Sequence, residues 1–153
     1  INMKKLNLEI HINASQEKVW DTITDDKKYR EWTSVFQPTS YFEGGWNTGD
    51  KINFVGVDEK GEKGGMVSEI AESRKPEYIS IRHLGYMQNG VEDTTSDAVK
   101  AWAPAYENYT IEKDGEGSKF ILVQDIEDQY EEMFGEMWPK AIEKIKEISE
   151  REN

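Results

Sequence analysis

The chain has 153 residues, a formal net charge of −12 and no cysteine. That length fits about one domain and is enough to bury a real core. The acidic balance argues against nucleic-acid and anionic-membrane partners, which need clustered Lys and Arg, and the missing thiols exclude disulfides, cysteine nucleophiles and thiolate metal sites.

The hydrophobic share is 36%, so the chain is globular rather than disordered, and its charge is read first as solubility. No apolar run approaches membrane-spanning length and no signal peptide opens the chain, so the expected address is cytoplasmic.

Leu6, Leu8, Ile10 and Ile12 alternate with Asn7, Glu9 and His11. This predicts a strand with one buried face and His11 on the outer one. Ser15 is placed to cap a short helix carrying Val19, Trp20 and Ile23. Asp25 or Asp26 is placed to cap a second, carrying Tyr29 and Trp32. Trp20 and Trp32 are expected on the inner faces of these helices. Residues 33–40 read as a loop, Tyr41-Phe42 as the start of a strand, and Gly44, Gly45 and Gly49 around Trp46 as a turn. Strands follow at residues 52–57, 66–71 and 78–84, joined by turns at 58–61 and 74–77. Residues 85–103 read as a long connection, and residues 87–103 of it are expected to be a lid over one end of a cavity, more mobile than the sheet. Within it Thr95 or Ser96 is placed to cap a helical turn ending near Trp102. Two more strands follow at 105–112 and 120–126, around a tight loop at 113–117.

From Asp128 to Asn153 the pattern changes. Phe134, Trp138, Ala141, Ile145 and Ile148 recur at steps of three and four, with Met137 and Ile142 beside them. That is one face of a long helix, with Glu and Lys filling the other. Glu136 and Lys140 have the spacing of a favourable pair. Pro139 lies inside the pattern and Gly135 four residues before it, so a bend is expected there. The order is β-α-α-β-β-β-β-β-β-α, with no repeat and no linker, and residues 1–153 read as a single domain. Successive strands joined by short turns make an antiparallel sheet the economical topology.

This layout resembles the START-like superfamily, also called SRPBCC or Bet v-like, and within it the homologues of the activator of heat-shock protein 90 ATPase. The resemblance is carried by Ile10-His11-Ile12-Asn13-Ala14, by Glu17-Lys18-Val19-Trp20, and by Thr24-Asp25 with Tyr29 and Trp32. It extends to Trp46 with Gly49, to Gly65-Met66-Val67-Ser68-Glu69, to Glu107-Asn108-Tyr109-Thr110 and to Trp138. It implies an α+β helix-grip fold: a curved, seven-stranded antiparallel sheet wrapped around the C-terminal helix, two short helices after the first strand, and a cavity between sheet and helix. It also implies binding of apolar molecules, or cyclisation and related chemistry. The heat-shock activator has a further N-terminal domain for which these residues leave no room.

The residues themselves carry no paired-His metal motif, no phosphate-cradling glycine loop and no nucleophile elbow. No metal or cofactor is expected. If Ile79 and Ile81 face inward, alternation turns His83 inward too. Its default reading is a packed histidine bonded to a neighbour; the functional one is a ligand-orienting or acid/base residue. Glu107 shares a parity with Tyr109 and Ile111. Its default reading is a solvated strand-end carboxylate; the functional one is a partner of His83. The expected ligand-binding set is Trp32, Phe36, Trp46, Phe54, His83, Trp102, Tyr109, Phe134, Met137 and Trp138. The leading expectation is binding of a small apolar or aromatic molecule in the cavity. The alternatives are an enzyme of the cyclase or hydrolase kind using His83 and Glu107, and a chaperone-interacting module marked by a large exposed apolar patch. Oligomeric state is left open.

Overall fold

The computed structural model describes residues 1–151. Strand β1 (Met3–Ile12) leads into helix α1 (Gln16–Thr24) and helix α2 (Asp26–Thr33). Both caps form as the sequence predicts: the Ser15 side chain accepts from the Lys18 amide and Asp25 from the Lys28 amide. Strands β2 (Tyr41–Gly44), β3 (Lys51–Val57), β4 (Lys63–Arg74) and β5 (Tyr78–Gln88) follow. A short β6 (Val91–Asp93) and a single-turn helix α3 (Asp97–Lys100) precede β7 (Ala105–Asp114) and β8 (Gly117–Glu127). A 3₁₀ turn, Asp128–Tyr130, opens onto helix α4 (Glu131–Glu150).

All the strands join one antiparallel sheet of eight, ordered β1-β8-β7-β5-β4-β3-β2, with β6 on β5. The concave face wraps α4, which is the helix-grip arrangement. The eighth strand corrects the expected seven. It also corrects the long connection: residues 85–103 hold the end of β5, all of β6 and α3. Asn89 and Gly90 both have positive φ, 51° and 75°, as a two-residue hairpin requires. Ser96 caps α3, and Val99 within it is fully buried. Glu92 ties the hairpin to β3 through Lys51 Nζ at 2.8 Å and Asn53 Nδ2 at 2.8 Å.

Helix α4 spans 20 residues rather than more; Asn153, where the predicted helix ends, lies outside the described residues. Among the described residues its intrahelical ion pairs are Lys144–Glu147 and Lys146–Glu150, not the expected Glu136–Lys140. Trp138, Ala141, Ile142, Ile145 and Ile148 bury its inner face. Around them pack Ile12, Val19, Trp20, Ile23, Ile79, Ile111, Phe120 and Leu122. Trp20 and Trp32 are both buried in this core, as the pattern of the short helices predicts. Among the described residues no helix is long and apolar enough to cross a membrane.

Candidate functional site

The core does not fill the whole space between sheet and helix. Toward the N-terminal end of α4 it opens into a cavity of about 840 Å³, within the range of small-molecule sites. Strands β3, β4 and β5 contribute Phe54, Met66, His83 and Tyr86 to its wall. Strands β7 and β8 contribute Glu107, Tyr109, Gln124 and Ile126. Helix α2 adds Tyr29 and Trp32, and α4 adds Met133, Phe134 and Trp138.

Of the ten residues expected at the site, eight line the cavity: Trp32, Phe36, Phe54, His83, Trp102, Tyr109, Phe134 and Trp138. Trp46 and Met137 do not. Trp46 packs behind the wall, with its ring centroid 5.8 Å from Phe54 and 5.4 Å from Phe42. Met137 precedes Trp138 by one residue, a rotation of about 100° around a helix, and so points away from the ring that faces the cavity. Tyr86 is the main residue the alternation hides. β5 carries one extra residue, Leu84, between the pairs Val67↔Gly85 and Ser68↔His83. This bulge reverses the parity, so Tyr86 turns inward after His83 and meets Trp102 at a centroid distance of 5.6 Å. Gln124 did leave a signal. It is the polar member of the inward series Phe120, Leu122, Gln124, Ile126.

One polar cluster is set into the apolar wall. His83 sits directly across from Ser68, and Glu107 is the diagonal neighbour of His83 on β7. Ser68 Oγ lies 2.6 Å from His83 Nδ1, and His83 Nε2 lies 2.9 Å from Glu107 Oε1. The Tyr109 hydroxyl donates to Glu107 Oε2. With Glu107 ionised, one arrangement satisfies every atom: Nε2–H and the phenol donate to the carboxylate, and the Ser68 hydroxyl donates to Nδ1. Glu107 is therefore no solvated strand-end carboxylate; its side chain is 13% exposed. Ser68 is 1% exposed and lies behind the imidazole, off the cavity wall, so it orients His83 and cannot reach a ligand.

The phenols respond to this setting. Burial pushes Tyr109 well above the ordinary tyrosine range, and the nearby Glu107 carboxylate pushes the same way. Tyr29 is raised by the same two causes in the same order. Deeper in, Trp138 Nε1 donates to Gln124 Oε1 at 2.7 Å. The Trp32 indole N–H is buried without a hydrogen-bond partner. At the mouth stand Asp58, Glu62 and Lys63. Among the described residues no group of three or more His, Asp or Glu is placed to hold a metal.

Residues 3–149 match the family described as polyketide cyclase / dehydrase and lipid transport. The chain belongs to that family. Its fold recurs in solved structures of low identity. Protein NE0264 from Nitrosomonas europaea is 16% identical with a TM-score of 0.73, over 97% of this chain and 95% of that one. The Aha1 dimer from Colwellia psychrerythraea is 15% identical with a TM-score of 0.69, over 97% of each chain. CalU16 from Micromonospora echinospora is 15% identical with a TM-score of 0.65, over 98% of this chain and 78% of that one. No curated protein matches the sequence. Membership of the cyclase/dehydrase and lipid-transport family agrees with the START-like resemblance read from the motifs, and the cavity lies where that resemblance puts one.

Proposed function

We propose that this protein binds a small, largely apolar or aromatic molecule in the cavity, with the His83–Glu107–Tyr109 cluster fixing its orientation. The observation that carries the reading is the wall itself: a space of about 840 Å³ lined by aromatic rings with one buried polar cluster. Such a site gives affinity through apolar burial and orientation through a few hydrogen bonds. The family's description, which includes lipid transport, supports it.

The test is a titration with naphthalenemethanol, a neutral aromatic probe, followed by calorimetry. We expect saturable binding to the parent and none to Ile126→Trp, whose larger side chain occupies the cavity. Equal binding to both proteins refutes the reading.

A second reading is favoured by the 2.9 Å contact between His83 and Glu107 in the cavity wall. It is acid/base catalysis on the bound molecule, of the cyclase or hydrolase kind, with His83 moving a proton and Glu107 stabilising the imidazolium. His83→Gln distinguishes the two readings: retained binding with lost turnover supports catalysis, and no turnover in the parent supports binding alone. The large apolar residues most exposed are Ile1, Met3, Val91, Tyr130 and Met133. Three of these, Met3, Tyr130 and Met133, border the cavity, so they serve the ligand reading rather than a chaperone surface.

A further inference from the structure

We propose that the cavity discriminates by charge: it accepts neutral and cationic aromatic molecules, prefers the cation, and refuses carboxylates. This rests on the binding reading above and names the chemical class of the ligand.

The donors of the polar cluster are already committed. His83 Nε2 and the Tyr109 hydroxyl both point at Glu107. Each carboxylate oxygen keeps a second acceptor site. The cluster therefore offers a ligand an acceptor bearing negative charge. An ammonium or other N–H placed there gains a charge-assisted bond. Around Glu107 the wall is made of the faces and edges of Trp32, Phe54, Tyr109 and Trp138, and aromatic faces attract cations. Gln124, with its carbonyl held by Trp138, offers only an uncharged amide donor, and the other donor groups of the wall, such as those of Trp32, Tyr86 and Trp102, are uncharged as well.

The mouth repeats the sign. Asp58, Glu62 and Glu107 border the cavity against one ammonium, Lys63; Asp125 and Glu127 border it too, but they alternate with the inward Gln124 and Ile126 and belong to the other face of β8. Lys63 is itself drawn off by Glu43 at 3.7 Å. Asp125 is answered by Lys5 at 2.6 Å, and one oxygen of Asp58 accepts from the Lys60 and Glu62 amides. Glu62 retains its field at the entrance. An entering carboxylate would give up hydration, cross a like-charged rim and find the donors of His83 and Tyr109 already turned to Glu107.

Three naphthyl probes of one shape test this by calorimetry at neutral pH: naphthalenemethanol, naphthylmethylamine as its cation, and naphthoate. We expect the amine to bind at least about tenfold more tightly than naphthoate, since one charge is attracted and the other repelled by the partly buried Glu107 carboxylate. In Glu107→Gln the ratio of amine to alcohol affinity should fall toward one, whatever the change in alcohol binding itself. The exposed-rim variant Glu62→Gln leaves the interior intact and keeps the test alive should Glu107→Gln not fold. It should raise naphthoate affinity and weaken the salt dependence of amine binding. Naphthoate binding as tightly as the amine overturns the proposal, as does an amine advantage unchanged in both variants. Failure of the alcohol to bind refutes the cavity reading itself, and this inference with it.

Discussion

The two ends of the space between sheet and helix are built differently. At the C-terminal end of α4, Ile145 and Ile148 meet Ile12, Val19, Ile23, Ile79, Ile111 and Phe120, and each of these is at most 2% exposed. Helix α1 closes that end, with Ser149 Oγ donating to Thr22 Oγ1 at 2.9 Å. None of these side chains reaches the cavity. At the N-terminal end helix α2 borders the space with Tyr29 and Trp32 and leaves it open. The strands there carry Gly56, Gly64 and Gly65 where the other end carries isoleucine. Gly65 has φ of +147°, and a Cβ there would collide with the Phe54 carbonyl, so the bare backbone is required by the close approach of β3 and β4. Aromatic residues border the remaining space without filling it. One helix thus serves as a core element over half its length and as a cavity wall over the other half.

Truncation should expose this difference most strongly. Trp20 is buried in the closed end, and Trp20→Ala is expected to destabilise by about 3–5 kcal/mol. Trp102 borders the cavity and is only half buried. Trp102→Ala should remove less apolar burial, about 1–2 kcal/mol, and should weaken binding of naphthalenemethanol more than it weakens the fold. Chemical denaturation of both variants checks this. Equal losses would break the division into a packed end and an open one.

The closed end is also the part that the sequence makes legible. The Ser15 and Asp25 caps, the apolar spacing of α1 and α4, and the alternation through Ile79 and Ile81 each follow from local rules that the structure obeys. His83 comes out inward because its register precedes the Leu84 bulge; Tyr86 was hidden because it follows it. A bulge depends on the partner strand, which alternation cannot see. Glu107 looked like a strand end because nothing local shows that β7 pairs with β5 and sets it diagonal to His83. The β5–β6 hairpin did carry a local mark, Asn89-Gly90, the dipeptide favoured in two-residue turns. Trp46 and Met137 mislead because an aromatic or apolar residue at a plausible spacing is compatible with packing behind a wall as well as lining it.

The open end should also respond to alkali. Tyr29 and Tyr109 are held above the ordinary tyrosine range, by burial first and by Glu107 second. Below about pH 10 both folded and unfolded chains keep these phenolic protons, and stability is unaffected. Above it the unfolded chain releases protons that the folded chain retains. Stability then falls as pH rises, by up to about 1.4 kcal/mol per pH unit for each phenol. Tyr29→Phe should remove one share of that slope. Phenolate absorbance in the folded protein should lag behind the full tyrosine count until unfolding. An alkaline slope identical in parent and Tyr29→Phe would show that this ring is not sealed from solvent.

The smallest effect expected lies in α4 itself, where the two halves meet. Pro139 is inside the helix, and having no N–H it leaves the Gly135 carbonyl without its intrahelical bond. Both residues lie on the exposed side, one turn apart, while Phe134 and Trp138 beside them face the cavity. Their side chains therefore influence the cavity only through the path of the helix. A Cβ at Gly135 would meet nothing within 4 Å, so Gly135→Ala should stabilise by about 0.5–1 kcal/mol through helix propensity alone. Pro139→Ala restores the missing bond as well and is expected to straighten the first turns, drawing Phe134 and Trp138 against the sheet. The two variants then separate propensity from geometry. Both should gain stability, but only Pro139→Ala should narrow the cavity and weaken naphthalenemethanol binding. A crystal structure of Pro139→Ala beside the parent, with helix axes compared over residues 131–148, gives the measurement. An unbent axis in the parent, or an unchanged cavity in the variant, would show that the proline tunes the helix and leaves the open end to the glycines of the sheet.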